Sequence, residues 1–146
     1  MAELSPDAHL VPVFLKNARG FLRAGADRPG PDAWASRVQM LCCAAELALK
    51  ALLIAAGRTD EENRREVRHD LQRGLEAARR VGLEPQSDQV TTLIAALSPS
   101  YAHHALDQLA RQSGRPDLAD CVDAVEDLVR RCEELVVVMQ AVSLGR

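Results

Sequence analysis

Residues 117–143 read DLADCVDAVEDLVRRCEELVVVMQAVS, and their spacing decides the fold class. Leu118, Cys121, Val122, Val125, Leu128, Val129, Cys132, Leu135, Val136, Met139 and Val142 recur at intervals of three and four for almost four heptads, the pattern of one apolar face on a long helix. Asp117, Asp120 and Asp123 crowd the first turns, where the helix dipole favours negative charge. At 1.5 Å per residue this helix is ~40 Å long, beyond the ~27 Å expected of a compact globule of this size. Part of it is therefore expected to pack on a partner chain.

A second rod lies upstream. The stretch 32–56 reads as a helix that stops at a glycine C-cap, Gly57, and from Leu41 onward it is apolar nearly all round, as in a helix buried on most sides. Composition agrees with helix: aromatics are only 3% of the 146 residues, whereas sandwiches and barrels draw on aromatic and β-branched side chains. The formal charge of −3 excludes a general nucleic-acid binder of the strongly basic kind.

Punctuation divides the rest. Ser5-Pro6-Asp7 reads as an N-cap, a first-turn proline and a dipole-facing acid opening a helix that ends near Gly25. A turn is expected at 28–31, with the second helix starting at Asp32. The polar stretch 58–68 reads as an exposed loop or short extension, and a third helix covers 69–81, ending at Gly82. Ser87 or Asp88 caps a fourth, Pro99 breaks it, and a short helix continues over 101–112. The expectation is an all-α, up-and-down bundle of four to five helices with a long C-terminal helix, one domain over 1–146. The first thirty residues carry scattered charges and no signal-peptide pattern, and the sixteen residues 41–56 are too short and too charged to span a bilayer. The cytoplasm and no membrane partner are the expectation.

Glu46 and Lys50 are the only charges between 41 and 56. At i and i+4 they share a helix face, either as an intrahelical pair in a seam or as the polar wall of a ligand groove. His69 and Asp70 open the third helix behind Arg64, Arg65 and Arg68. A helix N-terminus is a poor place for a cation, so His69 is read as a neutral ring able to accept a proton, with Asp70 capping and the arginines free to hold a phosphate. The four cysteines (Cys42, Cys43, Cys121, Cys132) form no CxxC pair, and adjacent His103 and His104 diverge on a helix, so no metal site is expected. Tyr101 reads as an end-of-helix anchor with its hydroxyl in water. Phosphate-loop, dinucleotide-fold, zinc-protease and serine-hydrolase motifs do not occur.

Glu46, Lys50 and the alanine–leucine run around them, ending at Gly57 and followed by a charged loop and His69-Asp70-Leu71, resemble the HEPN family (higher eukaryote and prokaryote nucleotide-binding). The resemblance covers about residues 40–83. It implies a dimeric all-α bundle acting as a toxin, an antitoxin-paired partner, a defence protein or a nucleotide-associated module, with a nucleotidyltransferase-like partner protein and no cofactor. Active members are similar to metal-independent RNases that use R-x4–6-H; here the last helix holds no histidine, and Arg64 followed by His69 is the one fit to that spacing.

Three readings follow. The first is a homodimeric binding or partner module associating with nucleotide or RNA through Glu46, Lys50, Arg68, Asp70 and Tyr101. The second is a metal-independent RNase with His69 as base and Arg64 or Arg68 as cation. The third is a structural bundle in which Glu46 and Lys50 are mutually paired and dry.

Overall fold

The computed structural model describes residues 5–27, 33–84 and 87–144. Among them there are seven helices and no strand: α1 (Leu10–Asp27), α2 (Trp34–Ala55), α3 (Asp60–Glu66), α4 (Leu71–Arg80), α5 (Asp88–Ala102), α6 (Leu106–Ala110) and α7 (Leu118–Leu144). The turn expected at 28–31 and the helix start expected at Asp32 lie outside the described residues.

α2 is the hub and touches all six other helices. Its length and apolar composition would suffice to cross a membrane, longer than the segment 41–56 suggested, but most of it is buried inside this bundle. Ala44, Ala45, Ala48 and Ala51 are fully enclosed, and such small side chains let neighbouring backbones come close. α1 crosses α2 at Gly25, where a Cβ would stand 2.8 Å from the Leu41 side chain. Arg37 of α2 ties off the end of α1 by donating from Nε to the Gly25 carbonyl (2.7 Å) and from Nη2 to that of Ala26 (2.8 Å). α7 lies along α1 and α2, burying Cys121, Val125, Leu128, Val129, Cys132 and Val136. Arg19 of α1 holds it from outside, with a forked contact to Glu133 and another to Glu126, whose carboxylates push the guanidinium's pKa further up. At the other end Trp34 Nε1 donates to the Pro116 carbonyl, and Arg115 lies over the indole ring.

Four expectations change. Ser5 caps a tight turn rather than a helix: its Oγ accepts from Asp7 N, and α1 starts five residues later. Asp7 serves another element, its carboxylate accepting from Asp60 N at the head of α3. The stretch read as a loop over 58–68 contains α3, closed by a capping box in which Thr59 and Glu62 satisfy each other's backbone N–H groups. Buried Asn63 docks that helix by donating to the Lys50 carbonyl. Pro99 does not break α5. It sits on an exposed face near the end, and the chain turns instead at His103–Ala105. With α3 added to the six helical segments read along the sequence, the described residues hold seven helices where a bundle of four to five was expected.

Three helices close with the same paired-bond terminus, in which the two residues past the cap donate back to the last turn. At α2 they are Gly57 to Ile54 and Arg58 to Leu53; at α4, Gly82 to Arg79 and Leu83 to Ala78; at α5, His104 to Tyr101 and Ala105 to Ser100. The motif needs a left-handed residue, which Gly57 (φ 111°) and Gly82 (φ 117°) supply freely. At α5 the position belongs to His104 (φ 55°).

The α1–α2 crossing makes a paired prediction. Gly25→Ala should destabilise by about 1–3 kcal/mol, since Leu41 is fully buried and has nowhere to retreat. Gly20→Ala, in the same helix with nothing within 4 Å of the new Cβ, should stabilise by about 0.5–1 kcal/mol. Urea unfolding of both variants, compared with the parent, checks the pair.

Candidate functional site

The Glu46 carboxylate, with its side chain 12% exposed, collects three donors. Lys50 Nζ, one turn on, reaches Oε2 at 3.0 Å. Tyr101, from the last turn of α5, donates its hydroxyl to Oε1 at 2.9 Å. His69 Nδ1, from the corner between α3 and α4, is 2.8 Å from the same oxygen. A carboxylate held by an ammonium only accepts, so Nδ1 carries the proton and Nε2 is the imidazole's other, available nitrogen. The His69 side chain is 58% exposed, so this assembly joins a buried charge to the surface.

The surface it meets is a cleft of about 300 Å³ lined by Phe21, Gln39, Cys43, Glu46, Leu47, His69, Tyr101 and His104. Gln39, Cys43, Glu46 and Lys50 fall at intervals of four, three and four along α2 and form its one polar stripe. The His69 ring stands edge-on to Tyr101 (centroids 6.1 Å apart) and to His104 (6.3 Å). Arg68, immediately before His69, and His104 are the only non-glycine residues with positive φ among those described. Left-handed backbone costs such residues on the order of 1–2 kcal/mol each, and both flank the same imidazole.

Burial and the neighbouring Glu46 charge push the Tyr101 phenol well above its ordinary range. Its hydroxyl is not in water as expected: the residue is buried, and besides Glu46 it approaches Cys43 Sγ at 3.6 Å. Cys42 and Cys132 are enclosed thiols whose pKa burial raises, the latter to about 12. Cys121, likewise enclosed, is pushed up to about 11. Cys43 is the half-buried one.

Of the residues singled out from sequence, Glu46, Lys50, His69 and Tyr101 converge. Arg64 does not join them; its guanidinium pairs with Asp60 at 3.1 Å on the exposed side of α3. Asp70 is used as the α4 N-cap, its Oδ1 accepting from Arg73 N and from Ser98 Oγ. It ties α4 to α5 rather than lining the cleft. His69 precedes the helix rather than lying in its first turn, because Asp70 takes the cap position. Arg68 is exposed, and no ion pair engages it among the described residues. Phe21, Cys43 and His104 were not singled out as site residues. His104 had a visible neighbour in His103, but only the turn after Ala102 brings the His104 ring to His69.

A larger hollow of about 410 Å³ lies by Trp34, Arg37 and Arg115. Both arginines there are already committed to backbone carbonyls, which makes it a junction of structural contacts. Comparison with protein-family models, with curated proteins and with solved structures finds no match to this chain.

Two outcomes test the geometry. Tyr101 is the chain's single tyrosine, so its titration is readable by absorbance at 295 nm. Because the folded pKa is raised, the stability gained from keeping the phenol neutral is fully present below the unfolded value of about 10 and is lost as pH rises through the folded one. The native protein should show no phenolate at about pH 10.5, where the chain unfolded in guanidinium is more than half ionised. Lys50→Met should cost about 1–3 kcal/mol by removing the ammonium from a carboxylate that keeps only Tyr101 and His69, and adding Glu46→Gln should restore part of that loss in denaturant unfolding.

Proposed function

We propose that this chain is a cytoplasmic, HEPN-like, homodimeric binding module that associates with nucleotide or RNA through the cleft at His69. The observation that carries the reading is the single carboxylate, Glu46, that orients both His69 and Tyr101 at the base of that cleft. Phe21 and Leu47 supply apolar wall, while the edges of His69 and His104 supply hydrogen-bonding nitrogens. A flat heteroaromatic ring suits such a lining, since nucleobases stack on aromatic and imidazole faces and are read along their edges. Arg68, exposed and next to His69 in the chain though not among the residues lining the cleft, is the cation proposed for a phosphate. The resemblance to HEPN proteins supports a role beside a nucleotidyltransferase-like partner in a prokaryotic toxin–antitoxin or defence pair.

A second reading, metal-independent RNA cleavage, is favoured by one specific feature. Glu46 fixes the His69 tautomer, so that Nε2 is available as a base toward a ribose hydroxyl, and Arg68, which no ion pair engages among the described residues whereas Arg64 is taken by Asp60, is the cation proposed. In the structural-bundle reading Glu46 and Lys50 answer only each other, whereas Glu46 also holds the exposed His69.

Labelled single-stranded RNA and nucleoside monophosphates, titrated by fluorescence anisotropy and calorimetry in EDTA, test both. Binding that weakens at least tenfold in His69→Ala and changes little in Arg64→Ala is the expected result. RNA shortening that disappears in His69→Ala would move the conclusion to the nuclease, and absence of binding at millimolar nucleotide and RNA would remove both.

A further inference from the structure

From Leu135 to Leu144, α7 reads LVVVMQAVSL, ten residues without a charge. One side of this stretch belongs to the bundle: Val136 is buried and Met139 packs on the core. The other is bare, with Val137, Val138 and Val142 more than half exposed and Leu144 87% exposed. At 3.6 residues per turn, Leu144, Val137, Ala141, Val138 and Val142 follow one another around ~160° of the helix surface. Beside this arc runs a groove of about 250 Å³ lined mainly by Ala8, Val11, Ile54, Ala55, Met139 and Leu144. An apolar arc and an apolar groove side by side exceed the scattered exposed residues that a monomer surface tolerates.

We propose that this end of α7 is the surface on which two copies of the chain meet, the helices crossing antiparallel near Ala141. Near a two-fold axis each residue meets its own copy, so any charge there would face its own sign. A charge-free arc removes that repulsion, and it offers nothing for a charged partner of different sequence to read. The direction follows from Glu134, exposed at the upstream edge of the arc and ion-paired with Arg130 one turn before it (3.2 Å), so that a crossing in register would set carboxylate against carboxylate and guanidinium against guanidinium. A parallel crossing sets the two copies' Glu134 side by side, whereas an antiparallel one separates them by ~20 Å. The arc forms an apolar centre, with Glu134 upstream and Gln140 beside Leu144 as polar rim. This rests on the dimer reading above and adds the surface that makes the dimer.

Sedimentation equilibrium of the full chain from 1 to 100 µM tests it. A dimer is expected, and V138E/V142E should weaken it at least 100-fold while the circular dichroism spectrum holds, both positions being solvent-facing in the protomer, and the thermal midpoint should lose its dependence on protein concentration. Ala141→Cys on a Cys43→Ser background should oxidise to a covalent dimer. A dimer that survives V138E/V142E, without cross-linking at 141, overturns the surface and leaves the dimer reading standing. A wild-type monomer at 100 µM overturns both, and its co-sedimentation with phosphatidylglycerol vesicles would give the face to lipid.

Discussion

A carboxylate in the middle of the most buried helix is the constraint around which the rest is arranged. Moving Glu46 out of water is unfavourable unless its oxygens are fully answered, and three donors from three separate places answer them. Lys50 comes from the same helix, His69 from the corner ahead of α4 and Tyr101 from the end of α5. Because each bond requires its element to sit at hydrogen-bonding distance from one side chain, the polar cluster sets where α4 starts and α5 ends relative to α2. The feature most expensive to bury is thus also the one that positions the exposed imidazole.

Packing around α2 works through small groups. Its enclosed alanines and the bare backbone at Gly25 allow α1 and α7 to approach closely, and the larger leucines fill the spaces toward α4 and α5. Polar side chains then close the helix ends: Arg37 on α1, the Thr59–Glu62 box on α3, and Asp70 with Ser98 where α4 meets α5. Buried backbone termini are satisfied by neighbours, so the short α3 and α4 are stable in context although neither is long enough to persist alone.

Two of the described positions break the local rule that left-handed backbone belongs to glycine, and both border His69. At the ends of α2 and α4 the same turn is made with glycine. A histidine in that role at α5 gives up conformational ease and places an imidazole beside a second one, with Cys43 and Phe21 completing the wall. Strain of this kind at a concave surface next to a tethered histidine is consistent with a site, and it distinguishes this cleft from the larger hollow by Trp34.

The all-helical class, the long α7 and the near-complete burial of α2 were determined by sequence, because apolar residues at intervals of three and four can be enclosed together only on a helix. The Glu46–Lys50 pair and the Asp70 cap were equally legible, being contacts within four residues. Tertiary structure alone decided that Tyr101 and His69 share one oxygen of Glu46, that His104 rather than His103 faces the cleft, and that Phe21 and Cys43 line it. It also decided that Pro99 stays helical and that a polar stretch docks through Asn63. Those outcomes join residues 13 to 83 positions apart, or depend on what packs around a segment rather than on its composition. Local periodicity reports which face of a helix is apolar, whereas the meeting of particular side chains is set by how close and at what angle the helices cross.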